Sequence, residues 1–111
     1  MSMDDRHVEV ELRRGVLPLV TLCLLEEPRY GYDLIRLLAM RGFDIEEGTL
    51  YPLLRRLESQ GVLVAAWEPS AARPRKYYSL SPAGREARAS LAALWRRVRD
   101  ATDEIVMEVE S

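Results

Sequence analysis

The sequence contains very few of the residues that build disulfides, metal sites and catalytic centres. Its 111 residues include one cysteine, Cys23, and one histidine, His7. A single cysteine excludes an internal disulfide, as is usual for proteins of a reducing cytoplasm. His7 lies in a polar segment without a second ligand nearby, so we expect no metal and no cofactor. No phosphate-binding loop or paired-carboxylate site stands out either, and we expect no enzymatic activity.

Long apolar runs are also missing. No stretch approaches the roughly 20 residues that cross a membrane, and the N-terminus does not have the layout of a signal peptide. We therefore predict a cytoplasmic protein without membrane contact. Hydrophobic residues make up 48% of the chain and charged residues 31%, which indicates a single folded domain.

The net charge of −2 is distributed unevenly. Residues 1–47 carry six arginines and ten acids, and residues 100–111 carry five acids and no basic side chain. Between them, residues 48–99 carry ten basic side chains and three acids. Because local charge matters more than total charge for nucleic-acid binding, this basic middle segment is a candidate DNA-binding region.

A helix is predicted near the start of that basic segment. Four leucines follow the i, i+3, i+4, i+7 spacing of a helix packed on a core: Leu50, Leu53, Leu54 and Leu57. Gly61 can end this helix, and Asp44 with Glu47 fits a capping box at its start. The opposite face carries Gly48, Pro52, Arg55, Arg56 and Ser59, with Thr49 and Tyr51 at its two edges.

This outer face suits a helix in a DNA major groove. Gly48 allows close backbone approach, the paired Arg55 and Arg56 can bind phosphate, and Thr49 offers a short hydroxyl. The alternative is an ordinary amphipathic surface helix, which these residues alone do not exclude.

Two further helices are expected before the basic one. The first runs from about Val8 to Leu25, after a loose segment 1–7, with Cys23 expected as a small core residue. Pro18 either starts its main part or kinks one long helix. The second begins near Tyr30 and ends at Gly42. Together with the basic helix it predicts a helix-turn-helix.

After Gly61 the period of the pattern changes from 3.6 to 2. Residues 62–67 read as a strand, 69–74 as a loop and 75–80 as the returning strand. Three basic residues without an acid among them lie at the tip: Arg73, Arg75 and Lys76. A basic hairpin after a helix-turn-helix is typical of a wing that contacts the DNA backbone or minor groove, the alternative being a solvated loop.

The last predicted helix begins at Ser81-Pro82, a serine cap followed by proline. Its apolar residues are spaced 3, 4, 3 and 4 apart, a heptad seam formed by Leu91, Leu94, Val98, Ala101 and Ile105. This seam predicts a homodimer, which would place two recognition helices about one DNA turn (~34 Å) apart. Trp95 flanks the seam and is either dimer core or the wall of an apolar slot for a flat ligand.

Three ordered blocks resemble the PadR family of transcriptional regulators: residues 30–34 (YGYDL), 48–58 (GTLYPLLRRLE) and 73–84 (RPRKYYSLSPAG). The resemblance implies a mainly α fold with a small β-hairpin, in which residues 1–80 form a winged helix-turn-helix. Residues 81–111 then form a long C-terminal dimerisation helix.

By this resemblance the protein is expected to be a homodimeric repressor that binds a pseudo-palindromic operator in double-stranded DNA. Thr49, Tyr51, Arg55 and Arg56 map to its recognition helix, and Arg73, Arg75 and Lys76 to its wing. A small planar hydrophobic molecule would release it, since in multidrug-sensing members a tryptophan at the place of Trp95 sandwiches planar drugs. The alternative function is a winged-helix adaptor that binds protein instead of a specific DNA sequence.

Overall fold

A computed structural model describes residues 3–69, 72 and 74–111 of the chain. The fold is mainly helical with a small antiparallel sheet and a long C-terminal helix, as predicted. The elements in order are α1 Met3–Leu24, β1 Arg29–Tyr30, α2 Gly31–Met40, α3 Glu47–Ser59, β2 Leu63–Glu68, β3 Arg75–Leu80 and α4 Pro82–Glu110.

Helix α1 is longer than the sequence pattern indicated. It begins at Met3, so the prediction of a loose segment up to residue 7 was wrong. The helix also continues through Pro18, which therefore does not start it. Cys23 is exposed, contrary to our expectation. At 100° per residue it lies well away from the buried stripe of Leu17, Thr21 and Leu25.

Helices α2 and α3 form the helix-turn-helix. Gly42 adopts a positive φ of 95°, and the Phe43 amide donates to the Leu38 carbonyl at 2.8 Å, which closes the end of α2. The predicted capping box was wrong. Helix α3 begins at Glu47, three residues after Asp44, so Glu46 and not Asp44 occupies the N-cap position, and its side chain makes no cap hydrogen bond.

The core lies where α1, α2, α3 and the sheet meet. The leucine stripe of α3 is buried there, as its spacing predicted, and packs with leucines of α1 and α2. The buried leucines of these three helices, with Leu25 directly after α1, are Leu17, Leu22, Leu25, Leu34, Leu38, Leu50, Leu53, Leu54 and Leu57. One face of α3 is thus fixed in the core, and the face carrying the arginines is left on the surface.

The sheet has three strands in the order β1-β3-β2. Its hairpin matches the prediction closely, with Leu63 opposite Leu80 and Glu68 opposite Arg75. Strand β1 was missed because it has two residues, too few to show a period of 2; Tyr30 pairs with Tyr77. The extra strand anchors the hairpin, since isolated two-stranded ribbons are marginal in water.

Helix α4 is joined to the core at its N-terminal end. The Ser81 hydroxyl accepts a hydrogen bond from the Gly84 amide at 3.0 Å, which confirms the predicted cap. Arg88 forms an ion pair with Glu26 at the end of α1. The 29 residues of α4 span about 43 Å at 1.5 Å per residue, and all side chains from Leu94 to the end are exposed.

Candidate nucleic-acid interface

The exposed face of α3 is the largest part of the candidate interface. Gly48, Pro52, Arg55, Arg56 and Ser59 all lie on the surface, on the side opposite the buried leucines. A Cβ placed on Gly48 would have no atom within 4 Å, so the backbone at the start of α3 is open to approach. The basic face predicted from the periodicity is therefore accessible to a partner.

Thr49 and Tyr51, at the two edges of this face, are only partly exposed. Thr49 lies at a groove of about 270 Å³ between α1 and the start of α3, whose wall includes Arg14 and Phe43. Tyr51 packs against Gly31 at the start of α2, where a Cβ would come within 2.7 Å of the tyrosine ring. Burial, together with the nearby Glu47, raises the pKa of the Tyr51 hydroxyl. Thr49 and Tyr51 therefore contact other parts of the fold as well as bordering the exposed face of α3.

Lys76 connects the β2–β3 hairpin to α3. Its ammonium group forms an ion pair with the Glu58 carboxylate on α3, with 2.9 Å between Nζ and Oε1. This hydrogen bond raises the pKa of Lys76. The ammonium also lies 5.6 Å from the ring centre of Tyr78, whose hydroxyl pKa is raised by burial. Lys76 is thus already paired with a carboxylate in the free chain.

Arg75 extends from the opposite face of the hairpin, because successive residues of a strand point to opposite sides. Its guanidinium lies 5.0 Å from the ring centre of Tyr30. The Tyr30 ring contacts Tyr77 edge to face, with centroids 4.5 Å apart. The third predicted wing residue, Arg73, lies outside the described residues.

Two residues near this surface were not identified as functional from the sequence. One is Glu58, whose pairing with Lys76 depends on how the hairpin packs on α3 and not on a local sequence pattern. The other is Trp67, which lies directly opposite Lys76 in the hairpin register and is 64% exposed. Its place in the alternation of residues 62–67 was visible in the sequence, but its exposure was not.

The predicted dimerisation residues of α4 are exposed, except for the first of them. Leu91 packs against the core, whereas Leu94, Val98 and Ile105 are exposed apolar side chains, and Ala101 is exposed as well. Trp95 is 40% exposed. A second exposed apolar group lies on α1, formed by Val8, Val10 and Leu12.

Other classes of site are not indicated. Among the residues that the structure describes, no three His, Cys, Asp or Glu side chains are grouped as a metal site requires. Within the same part of the chain, each helix is too short or too polar to span a bilayer.

A helix-turn-helix whose second helix exposes two arginines, followed by a hairpin that touches the same helix, is the arrangement of a winged-helix DNA-binding protein. The model of the PadR-like family of transcriptional regulators matches residues 21–90. The chain belongs to this family, whose members are DNA-binding regulators and not enzymes.

Individual proteins are similar to this chain over half of its length or more. A crystal structure of a PadR family transcriptional regulator from Eggerthella lenta is 42% identical, covers 93% of this chain and 94% of its own, and superposes with a TM-score of 0.88. An uncharacterised protein of Lysinibacillus sphaericus is 34% identical over 86% of this chain and 93% of its own length. A transcriptional regulator of Mycobacterium tuberculosis is 41% identical over 52% of this chain and 54% of its own.

Proposed function

We propose that the protein is a homodimeric repressor that binds a pseudo-palindromic operator and is released by a small planar hydrophobic molecule. The observation that carries the proposal is that one chain exposes two different surfaces. One is the basic outer face of α3, and the other is the exposed apolar seam of α4. The first suits DNA, and the second suits a further copy of the same helix.

A dimer would cover apolar surface that is exposed in the single chain. Leu94, Val98 and Ile105 are between 45% and 63% exposed, on the part of α4 that extends away from the core. Heptad-spaced apolar side chains are normally buried against another helix, at a gain of roughly 25 cal/mol per Å². The exposed Val8 and Leu12 of α1 extend the surface that a second copy can cover.

The groove beside α1 offers further apolar surface, lined in part by Val10, Leu17 and Phe43. Its two arginines are balanced by Asp44 and Glu46, so its attraction for a partner is apolar and not ionic. The end of α4 carries exposed apolar side chains such as Val106 and Met107. The apolar helix end of a second copy therefore matches the apolar lining of this groove.

On DNA, we assign base readout to the start and middle of α3, with Thr49, Tyr51 and Arg55 close to the bases and Gly48 allowing the approach. Arg56 and the wing residues Arg73, Arg75 and Lys76 are assigned to phosphates. Because Thr49 and Tyr51 are half-buried, Arg55 is expected to supply most of the side-chain readout.

The effector site is assigned to Trp95. Its indole is 40% exposed beside the seam, so a two-fold axis along α4 would bring two such rings close together. Flat apolar molecules stack on aromatic rings, and one placed between the two α4 helices would change their spacing. The distance between the two recognition helices would change with it, which provides a physical route to release from the operator.

The test is a binding titration with promoter fragments selected from the source genome, with nonspecific duplex as control. Tight and salt-sensitive binding to particular fragments supports the repressor. Arg55→Ala should cost on the order of 1–3 kcal/mol on such a fragment. Weak binding that is equal for all sequences, and unaffected by Arg55→Ala, would favour the winged-helix protein adaptor instead.

A further inference from the structure

Trp67 is the most exposed aromatic side chain among the described residues of the wing. It belongs to β2, an edge strand, and it lies one residue before the end of the hairpin pairing. Its indole is 64% exposed, although tryptophan is a residue that usually becomes largely buried in a fold. Among the residues that the structure describes, Trp67 is not part of the hydrophobic core or of the apolar side chains packed against it.

The hairpin register shows which way this indole faces. Trp67 is opposite Lys76, and side chains of directly paired residues lie on the same face of a sheet. Lys76 is held to Glu58 on α3 by its 2.9 Å ion pair, so this face of the wing is turned toward the recognition helix. Arg55, one turn before Glu58, is close enough to influence the pKa values of both Lys76 and Tyr78. The exposed indole therefore borders the same basic surface as Arg55.

We propose that Trp67 is a DNA contact, in which the indole packs on the apolar faces of backbone sugars where the wing meets the minor groove beside α3. The partner that fits is duplex DNA, because the exposed Arg55 on this surface is cationic and matches a phosphate backbone, while the charge of Lys76 is offset by Glu58 in the free chain. Many proteins that bind the minor groove place apolar side chains against it. This inference rests on the proposed function, in which α3 and the wing form the DNA-binding face.

The contact has a specific thermodynamic signature. An indole carries no charge and displaces no counterions, so its loss should weaken binding equally at every salt concentration. An arginine or lysine that pairs with phosphate instead contributes about 0.9 to the slope of log K against log salt concentration. Trp67→Ala is expected to lower affinity by about tenfold, the effect of losing one buried large apolar side chain, with the slope unchanged.

The experiment measures duplex binding by anisotropy at several salt concentrations for the wild type, Trp67→Ala and Trp67→Phe. Val64→Ala is the matched control, because Val64 is an exposed apolar residue on the same strand but on the opposite face. The proposal expects a parallel downward shift for Trp67→Ala, a smaller shift for Trp67→Phe and none for Val64→Ala. Equal affinity of Trp67→Ala and wild type would overturn it.

Fluorescence gives a second, independent measurement. Acrylamide quenching is recorded for the wild type and for Trp67→Phe, with and without duplex, and the difference isolates Trp67. Protection that appears only with DNA supports the contact, whereas protection that appears with rising protein concentration alone assigns Trp67 to self-association and overturns it. If the wild type fails to bind any duplex, the proposed function fails; if it binds and only the Trp67 effects are absent, this inference alone fails.

Discussion

The substitution Gly48→Ala is expected to have opposite effects on the stability of the fold and on the affinity for DNA. Gly48 is exposed in the first turn of α3, and a Cβ placed there would have no atom within 4 Å. The substitution therefore creates no clash in the free protein. Because alanine loses less backbone entropy than glycine in a helix, we expect the free energy of unfolding to rise by about 0.5–1 kcal/mol.

The same methyl group should be unfavourable on DNA. If the start of α3 approaches the major groove as closely as the proposal requires, the added Cβ displaces the backbone from the base edges. We expect operator affinity to fall by at least about tenfold, or about 1.4 kcal/mol. Stability is measured by urea titration and affinity by anisotropy with a selected operator duplex.

Ala39→Gly provides the reverse exchange as a control, since Ala39 lies on the exposed surface of α2. It should lower stability by a similar amount and leave operator affinity unchanged. The reasoning is refuted if Gly48→Ala binds the operator as tightly as the wild type. It is also refuted if both variants change affinity in proportion to their stability.

The ion pair between Lys76 and Glu58 predicts that Lys76 contributes less to DNA binding while Glu58 is charged. Lys76→Ala should therefore reduce the slope of log K against log salt concentration by about 0.9 in a Glu58→Gln background, and by clearly less when Glu58 is present. Arg56→Ala, on the other side of α3, is the control and should change this slope equally in both backgrounds. A change for Lys76→Ala that is the same in both backgrounds would contradict the pairing. Burial raises the pKa of Tyr78, so the folded state keeps the phenol proton above pH 10.0 while the unfolded chain loses it. The contribution of Tyr78 to the free energy of unfolding should thus be fully present below that pH and be lost as the pH rises above it. The loss is measured from urea midpoints at several pH values and should be smaller in Tyr78→Phe. For the effector, planar aromatic cations should quench tryptophan fluorescence and weaken operator binding, and Trp95→Ala should abolish both effects; quenching that persists in this variant would place the ligand elsewhere.

The helices and the hairpin could be predicted because their periodicity is strong and local. The leucine stripe of α3, the Ser81 cap and the strand 75–80 all depend on neighbouring residues, and the structure contains each of them. The predicted cap at Asp44 was wrong, because α3 begins at Glu47 with Glu46 at its N-cap position. Strand β1 was missed because its two residues pair with a partner almost fifty positions away.

The candidate site was predictable in composition but not in arrangement. Periodicity placed Arg55 and Arg56 on the outer face of α3, and the structure leaves both exposed. The ion pair of Lys76 with Glu58 joins residues 18 positions apart, and the separation of Arg75 from Lys76 follows from strand alternation. Such relations depend on how the hairpin packs on α3, which no local pattern specifies.

The central claim is that two chains joined through α4 present two recognition helices to successive major grooves. Hydroxyl-radical footprinting on a selected operator, combined with sedimentation of the complex, tests it most directly. The account predicts two chains per duplex and two symmetric protected segments about 10 base pairs apart. One chain per duplex with a single protected segment would contradict it.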